Sequence, residues 1–383
     1  MLNVCVLTGT RADYGLLYWT LKELKSDKSI KLLVIATGTH LSKKHGYTFK
    51  EIEKDGFQID AKINILSNKD NSKDISDTTA RAIKGFSKFF SNNKIDLIII
   101  LGDRYEALAA AVSSTFHKIP ILHIHGGEIT KGAYDDMIRH AITKMSNYHV
   151  ATTNVYKKRI IQMGEHPKNV KNFGAPGLEY IKKTKLLDKS KLSKKLGIEL
   201  EKFFVITFHP ETLSLIPPKK QIRILLSALS NFNNYKFLFS YSNADEGGFS
   251  IIKEIEDFKK FNSDQVFIVP SMGQLIYLSA VANSNLVVGN SSSALIEAPS
   301  LKKISVNIGE RQKGRLSADS VIHSSLDEKN IIFSIKKGLS KSFTEKRNIY
   351  SNPYDSGNTS KKIIKWIKEI NIQKNKSFFD LKI

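Results

Sequence analysis

Acidic and basic side chains gather in short polar clusters, and these clusters directly follow apolar runs of the sequence. Gly102-Asp103-Arg104 comes after IDLIIIL, and His125-Gly126-Gly127-Glu128 comes after IPILHI. Carboxylates and imidazoles can take up and return a proton, and a guanidinium binds anions. The pattern therefore indicates acid–base chemistry beside a negatively charged group, although Asp103 with Arg104 also suits a buried ion pair or a helix cap.

A second group of ionisable residues, Asp135, Asp136, Arg139 and His140, follows one short loop later. Together with the preceding histidines and Glu128 it contains residue types that bind metals. The sequence lacks HExxH or a comparable ligand spacing, so we predict no metal site. His123 is in phase with the apolar residues of its strand, which favours a packed core histidine over a catalytic one.

The second half of the chain offers a phosphate-binding pattern. The run NLVVG is followed by Asn290-Ser291-Ser292-Ser293 and then by a helix that carries Glu297. Backbone N–H groups and hydroxyls at a helix start suit phosphate, and a carboxylate one turn later suits ribose hydroxyls, although ordinary serine capping gives the same pattern. Arg311-Gln312-Lys313-Gly314-Arg315 adds cations after the next strand.

Three further clusters follow predicted strands, and each of them is also compatible with a plain polar turn. They are Gly9 to Tyr14, Phe208 to Thr212, and Ser242 to Asp245. In the first, Arg11 and the adjacent helix start are suited to a diphosphate. The cluster is not a GxGxxG fingerprint, so the sequence predicts no nicotinamide or flavin cofactor.

The elements that carry these clusters alternate between strand and helix along the whole chain. Several strands are apolar on successive residues, as expected for parallel strands covered on both faces. The order predicts an α/β protein with two Rossmann-like domains, each with its ligand groups at the carboxyl ends of the strands. By fold-level analogy, the two domains would face across a cleft that holds the ligand. We predict domains at 1–175 and 176–357, followed by a C-terminal helix and tail at 358–383 that cross back to the first domain.

Composition restricts the possible partners of the protein. The net charge of +22 permits nucleic acid or an anionic membrane, but the lysines are scattered and no zinc-finger or aromatic RNA-binding pattern occurs. We therefore expect a solvated basic surface, with no nucleic-acid or membrane partner. No apolar run reaches the roughly 18 residues of a membrane span, no signal peptide is legible, and the single cysteine, Cys5, lies in a predicted strand. A soluble, cytoplasmic protein is expected.

Seven separated motifs resemble one family. GTRADYG, LGDRYEAL, HIHGGE with DDMIRHAITKMS, FHPETLS, SNAD, GNSSSALIEAPS and NIGERQKGR occur in the order found in the bacterial hydrolysing UDP-N-acetylglucosamine 2-epimerases of sialic acid synthesis. The resemblance extends from about residue 3 to residue 357. It implies a GT-B-like pair of Rossmann domains, no metal or redox cofactor, and a homodimer or homotetramer.

The resemblance also implies roles for individual residues. Asp103 and Asp135 would be the catalytic carboxylates. Many relatives have Glu at the position of His125, so either His125 or Glu128 would take the remaining acid–base role. The residues expected to contact the UDP-sugar are Arg11, Arg104, Asp136, Arg139, His209, Asn243, Asp245, Ser291, Ser292, Glu297 and Arg311.

The implied reaction releases UDP and N-acetylmannosamine from UDP-N-acetylglucosamine through a 2-acetamidoglucal. Several alternatives stay open at this point. The substrate could be UDP-2,4-diacetamido-2,4,6-trideoxy-glucose, as in legionaminic acid synthesis, or the enzyme could be a non-hydrolysing epimerase that retains UDP or a glycosyltransferase of the same fold. From other classes, a non-catalytic UDP-sugar-binding protein would have no need of Asp103 and Asp135, and a nucleic-acid-binding protein should show binding that weakens steeply with salt.

Overall fold

The computed structural model describes residues 1–67, 69, 71–242, 245–345 and 351–381. Contacts divide the chain into two compact units. The first unit comprises Met1–Glu128, Asp135–Tyr180 and Tyr354–Ile383, and the second comprises Ile129–Tyr134 and Ile181–Pro353. These units differ from the predicted ranges because Ile129–Tyr134 packs with the second unit, and because the C-terminal segment is part of the first unit rather than separate from it.

The first unit contains a seven-stranded parallel sheet with the order β3-β2-β1-β4-β5-β6-β7. Its strands are β1 (Leu2–Thr8), β2 (Ile30–Thr37), β3 (Ala61–Ile63), β4 (Leu97–Leu101), β5 (Ile121–Ile124), β6 (Tyr148–Ala151) and β7 (Val170–Asn172). Its helices include α1 (Arg11–Ser26), α2 (Phe49–Lys54), α3 (Ser72–Asn92), α4 (Tyr105–Phe116), α5 (Asp135–Met145) and α6 (Asn154–Gln162). The short helix α7 (Leu178–Lys183) spans the boundary to the second unit.

The second unit has a similar topology, with a six-stranded parallel sheet of order β10-β9-β8-β11-β12-β13. Its strands are β8 (Phe203–Thr207), β9 (Lys236–Phe239), β10 (Val266–Ile268), β11 (Leu286–Gly289), β12 (Ser305–Ile308) and β13 (Val321–Ser324). Its helices include α8 (Lys189–Leu196), α9 (Pro218–Leu229), α10 (Gly248–Phe261), α11 (Gly273–Asn283), α12 (Ser293–Ser300), α13 (Glu328–Leu339) and α14 (Lys341–Thr344).

The central strands form where the sequence is apolar on both faces. Ile98, Ile99 and Ile100 of β4 are fully buried, and β4 pairs in parallel with β1 and β5. Because consecutive residues point to opposite faces of a sheet, such a run needs helices on both sides. The doubly wound architecture predicted from the sequence is confirmed, and each sheet has its order reversal beside its first strand.

The last helix, α15 (Thr359–Glu369), completes the core of the first unit. Ile363, Ile364, Trp366 and Ile367 are buried, and the Trp366 ring packs edge-on against Tyr148 at 5.9 Å. The predicted return of this helix to the first domain is confirmed.

Among the helices in the described ranges, none is long and apolar enough to cross a membrane.

Candidate active site

The strand order locates the region where each sheet should bind a ligand. In the first unit the order reverses between β1 and β4, and in the second unit it reverses between β8 and β11. Open parallel sheets bind ligands at the carboxyl ends of the strands beside such a reversal. The predicted residues Arg11, Asp103 and Arg104 follow the first pair of strands, and His209 and Ser291 follow the second pair.

A buried arginine organises the site of the first unit. The side chain of Arg139, on α5, is fully buried, and its Nη2 donates to Asp103 Oδ2. Its Nη1 donates to Asp136 Oδ1 at 3.2 Å and to the Glu128 carbonyl at 3.0 Å. A buried guanidinium is tolerated only when it is paired and hydrogen-bonded, which these contacts provide. Arg139 thereby holds two carboxylates and the end of the HIHGGE motif together.

His125 and Glu128 form a second, adjacent pair. His125 Nδ1 lies 2.7 Å from Glu128 Oε1, and Thr152 Oγ1 donates to the same carboxylate oxygen at 3.0 Å. The Glu128 side chain is fully buried, and His125 is 7% exposed. The backbone of His125 is in the left-handed region with φ of +67°, which is uncommon for a non-glycine residue and often marks a functional site.

The start of α5 provides two more acids. Asp135 and Asp136 lie in its first turn, where the helix dipole favours negative charge. His140 Nε2 lies 3.6 Å from Asp136 Oδ2. Burial lowers the pKa of His140, and the nearby Asp136 carboxylate opposes that shift.

His123 supports this site from the core, as its position in the strand predicts. It is fully buried, and its Nε2 donates to the Gly102 carbonyl at 2.7 Å. Burial lowers the pKa of His123 to about 3, so the ring is neutral at physiological pH. The ring therefore supports the turn from which Asp103 leaves β4, where Gly102 has φ of +80°.

Two arginines expected to contact the UDP-sugar, Arg11 and Arg104, both pair with glutamates. Arg11 Nε donates to Glu51 at 2.9 Å, and Arg104 Nε donates to Glu106 at 2.8 Å. Asp13, which completes the cap of α1 at Thr10, lies near Arg104 and Glu106. Burial raises the pKa of Asp13 to about 7, and the charge of Arg104 opposes this rise.

In the second unit, Asn290 and His209 join the ends of β11 and β8. The His209 N–H donates to Asn290 Oδ1 at 2.7 Å, and Asn290 Nδ2 donates to the His209 carbonyl at 2.8 Å. The His209 ring lies 3.3 Å from Ser242 Oγ through Nδ1. The paired amide contacts fix the backbone from which the His209 imidazole projects.

Glu211 fixes the loop that carries Arg311. Its buried Oε1 accepts the backbone N–H groups of Glu310 and Arg311 at 2.8 and 3.2 Å. Burial raises the pKa of Glu211, against the effect of these hydrogen bonds. The Arg311 side chain then donates from Nη1 to the Asn290 carbonyl at 3.4 Å, so the backbone contacts place it beside the end of β11.

The serine-rich segment begins a helix, as the sequence predicts. Ser292 is the residue before α12, Ser291 Oγ accepts the Ser293 N–H at 3.4 Å, and Glu297 is buried on the helix. Asp245 is also buried, whereas Asn243 lies outside the described residues. The predicted contacts of these residues with a nucleotide stay predictions.

No group of three or more His, Cys, Asp or Glu side chains in the described ranges is arranged to hold a metal ion.

The structure thus joins some predicted residues and not others. Asp103, Glu128, Asp136 and Arg139 share one cluster, and His125 is attached to it through Glu128. Asp135 adjoins this cluster in sequence at the start of α5, and its part in the chemistry stays a prediction. Sequence reasoning assigned no role to Glu211 or Asn290. For Asn290 the available signal was an amide residue directly after a buried strand, whereas Glu211 lies four residues beyond β8.

Solved structures of similar fold define the class to which the molecule belongs. It superposes on a UDP-N-acetylglucosamine 2-epimerase from Neisseria meningitidis, solved with UDP-N-acetylglucosamine, with a TM-score of 0.80 and 20% identity, covering 96% of this chain and 100% of that one. A UDP-N-acetylglucosamine 2-epimerase from Methanocaldococcus jannaschii, solved with UDP-N-acetylglucosamine and UDP, gives a TM-score of 0.79 at 18% identity, covering 96% and 99%. The class is the two-Rossmann-domain α/β fold of these enzymes.

Sequence comparison shows to which family the chain belongs. The family model described as UDP-N-acetylglucosamine 2-epimerase matches residues 22–368. The polysialic acid biosynthesis protein P7 of Escherichia coli is 39% identical, covering 99% of this chain and 97% of that one. The hydrolysing GDP/UDP-N,N'-diacetylbacillosamine 2-epimerase of Campylobacter jejuni is also 39% identical, covering 99% of both. The chain belongs to the UDP-N-acetylglucosamine 2-epimerase family.

Proposed function

We propose that the protein is a hydrolysing UDP-sugar 2-epimerase that converts UDP-N-acetylglucosamine to UDP and N-acetylmannosamine. The observation that carries the proposal is the buried Arg139, which holds the carboxylates of Asp103 and Asp136 beside the His125–Glu128 pair at the carboxyl ends of β4 and β5. Relatives named as hydrolysing 2-epimerases support it, at 33% and 39% identity over nearly the whole chain.

The first step removes the proton from sugar carbon 2 and expels UDP. The proton goes to an enzyme base, the carbon 1–oxygen bond breaks with its electron pair leaving on UDP, and a double bond forms between carbons 1 and 2. The product is a 2-acetamidoglucal. Asp103 and Asp135 are the proposed carboxylates for proton transfer, a task that contributes about 100- to 10,000-fold to a rate.

The second step adds water to the glucal. The hydroxyl bonds to carbon 1, and a proton returns to carbon 2 on the face opposite to the one from which it left. Free UDP and the sugar inverted at carbon 2 result, so atoms and charge balance without a redox cofactor. The two steps need a base on one face and an acid on the other, and the cluster around Arg139 contains carboxylates and an imidazole for both tasks.

Nucleotide binding is the proposed task of the second unit, and contacts of Arg11 and Arg104 with UDP stay predictions. The support is that Arg311 and His209 are fixed by Glu211 and Asn290 at the carboxyl ends of β8 and β11. Cations and N–H donors so placed suit the charge that develops on a departing diphosphate. Ser291, Ser292, Asp245 and Glu297 belong to the same proposed site.

A second substrate is favoured by a specific observation. The relative from Campylobacter jejuni is named for GDP/UDP-N,N'-diacetylbacillosamine and the one from Legionella pneumophila for UDP-N,N'-diacetylbacillosamine, and the former is as similar to this chain as protein P7 is. The same reaction on a UDP-2,4-diacetamido-2,4,6-trideoxy sugar is therefore the alternative. The homodimer or homotetramer and the cytoplasmic location stay predictions, which light scattering and cell fractionation would test.

The test is a product analysis with each sugar nucleotide. The purified protein is incubated in deuterium oxide, in the presence of EDTA, with UDP-N-acetylglucosamine or with its 2,4-diacetamido analogue. We expect free UDP and a free sugar carrying deuterium at carbon 2. UDP-N-acetylmannosamine as the sole product would refute hydrolysis, and binding without turnover of either nucleotide would favour a non-catalytic UDP-sugar-binding protein.

A further inference from the structure

The contact between His125 and Glu128 determines which nitrogen of the histidine carries a proton. When the Glu128 carboxyl is ionised it only accepts hydrogen bonds, and the 2.7 Å contact then requires a proton on Nδ1 of His125. In the neutral ring the other nitrogen, Nε2, then presents a lone pair. A partner on one ring nitrogen commonly sets the chemistry of the other in this way.

Glu128 is itself held from two further directions. Thr152 Oγ1 donates to the same Oε1 atom at 3.0 Å, and the backbone carbonyl of Glu128 accepts Arg139 Nη1 at 3.0 Å. The side chain is fully buried, so it has no solvent-exposed alternative position. A carboxylate fixed at both its side chain and its backbone is suited to orienting an imidazole.

The other end of the His125 ring is buried, and its Nε2 has no hydrogen-bond partner among the described residues. Buried polar atoms in proteins nearly always have a partner, so Nε2 of His125 is available to a polar group of a ligand. His125 directly follows β5, and its backbone is held at φ of +67°. The ring thus combines a fixed proton, a strained backbone and an unused nitrogen at the ligand-binding edge of the sheet.

A second buried histidine–glutamate pair in the same unit also has one ring nitrogen, His149 Nδ1, with no hydrogen-bond partner among the described residues, but it lies elsewhere in the fold. His149 lies within β6, not after it, and its Nε2 is 2.9 Å from Glu165 Oε2. Glu165 also forms ion pairs with Lys144 and Lys376, which makes it the centre of a structural network. This pair supplies a matched control for the first.

We propose that Glu128 is a positioning residue that holds His125 with its proton on Nδ1, so that Nε2 of His125 exchanges the proton with the sugar. The proposal rests on the proposed 2-epimerase function and divides the acid–base role: His125 contacts the reacting atoms, and Glu128 acts only through His125. In either direction of transfer, one proton moves between Nε2 and the substrate while the Nδ1–H bond to Glu128 stays intact.

Kinetics of a double-mutant cycle test the dependence of Glu128 on His125. Glu128→Gln, His125→Gln, the double variant and the control Glu165→Gln are compared with the wild type on the accepted UDP-sugar. We expect Glu128→Gln to lower kcat roughly 10- to 100-fold with little change in KM, the usual cost of losing a group that orients a histidine. The double variant should be no slower than His125→Gln alone, and Glu165→Gln should keep kcat within about threefold of the wild type. The proposal would be overturned if the losses of kcat in Glu128→Gln and His125→Gln multiplied in the double variant. A wild-type kcat in Glu128→Gln or in His125→Gln would also overturn it.

Nitrogen-15 spectra of histidine-labelled protein read the tautomer directly and need no turnover. The His125 signals are assigned by their loss in His125→Gln. We expect a proton on Nδ1 in the wild type and a mixture of tautomers in Glu128→Gln, because an amide can both accept and donate. A wild-type ring protonated only on Nε2 would overturn the proposal even if Glu128→Gln failed to fold. Should the wild type release no UDP from either nucleotide, the 2-epimerase function fails, and the spectra still decide whether Glu128 fixes the ring.

Discussion

Replacing Asp103 with asparagine separates the chemistry of this carboxylate from its structural role. The amide has the same size, and its oxygen can still accept from Arg139 Nη2. Arg139 also keeps its bonds to Asp136 and to the Glu128 carbonyl. The local geometry should therefore persist, while the base is lost.

The expected losses follow from these contacts. A general base contributes about 100- to 10,000-fold, so kcat should fall by at least about a hundredfold, or roughly 2.7 kcal/mol at 1.36 kcal/mol per decade. One charge-assisted hydrogen bond to Arg139 becomes a neutral one, which should lower the free energy of unfolding by only about 1 kcal/mol. UDP affinity should change less than about threefold, since the proposed nucleotide contacts of the second unit are untouched.

Steady-state UDP release, calorimetric titration with UDP and urea unfolding measure the three quantities. Asp136→Asn is the matched control, because Asp136 accepts from the same guanidinium. We expect the control to lower kcat much less than Asp103→Asn. Equal losses in both variants would show that the effect passes through Arg139, and near wild-type turnover of Asp103→Asn would show that the carboxylate is only a counter-ion.

Three other changes test the remaining parts of the structure. Arg311→Ala should weaken UDP binding by roughly 1.5–3 kcal/mol, the range for a hydrogen bond to a charged group, and an unchanged calorimetric Kd would contradict its role. Gly309→Ala should also weaken UDP binding. The added Cβ would clash with the Glu211 carboxylate and displace it from the loop that carries Arg311. Wild-type UDP affinity together with a wild-type Tm would refute this. Burial opposes ionisation of Glu165, but hydrogen bonds from His149 and two lysines outweigh it and lower the pKa from 4.5 to about 2. The ionised form thus stabilises the fold above about pH 4.5 and loses this effect as pH falls through about 2, so Glu165→Gln should cost about 3 kcal/mol at pH 7 and little near pH 2 in urea unfolding.

The fold was predictable because its causes are local. The all-apolar run before Asp103 indicates a strand covered on both faces, and the polar residues after such a strand lie at the sheet edge. The same reasoning located His125, His209 and Ser291 at strand ends. The apolar spacing in SKKIIKWIKEI likewise indicated a helix with a face to bury, which α15 confirms.

The contacts within the site could not be predicted from the sequence, and the reason is physical. That Arg139 is fully buried depends on β4, β5 and α5 meeting in space, and no spacing in the chain encodes this. The His125–Glu128 contact depends on a left-handed residue followed by two glycines, the second with φ of +75°. The grouping of Ile129–Tyr134 with the second unit is of the same kind, because a short loop between two first-unit elements carries no signal of where it packs.

The position of α15 has a consequence for biosynthesis. The ribosome makes the sheet of the first unit first, yet Ile363, Trp366 and Ile367, which fill its core, emerge only after the whole stretch Ile181–Pro353. At roughly 5–20 residues per second, that stretch delays completion by on the order of 10 to 35 seconds. During this interval the nascent chain exposes the apolar surface around Tyr148 that Trp366 later covers, while the second unit is translated and can fold before the first is finished.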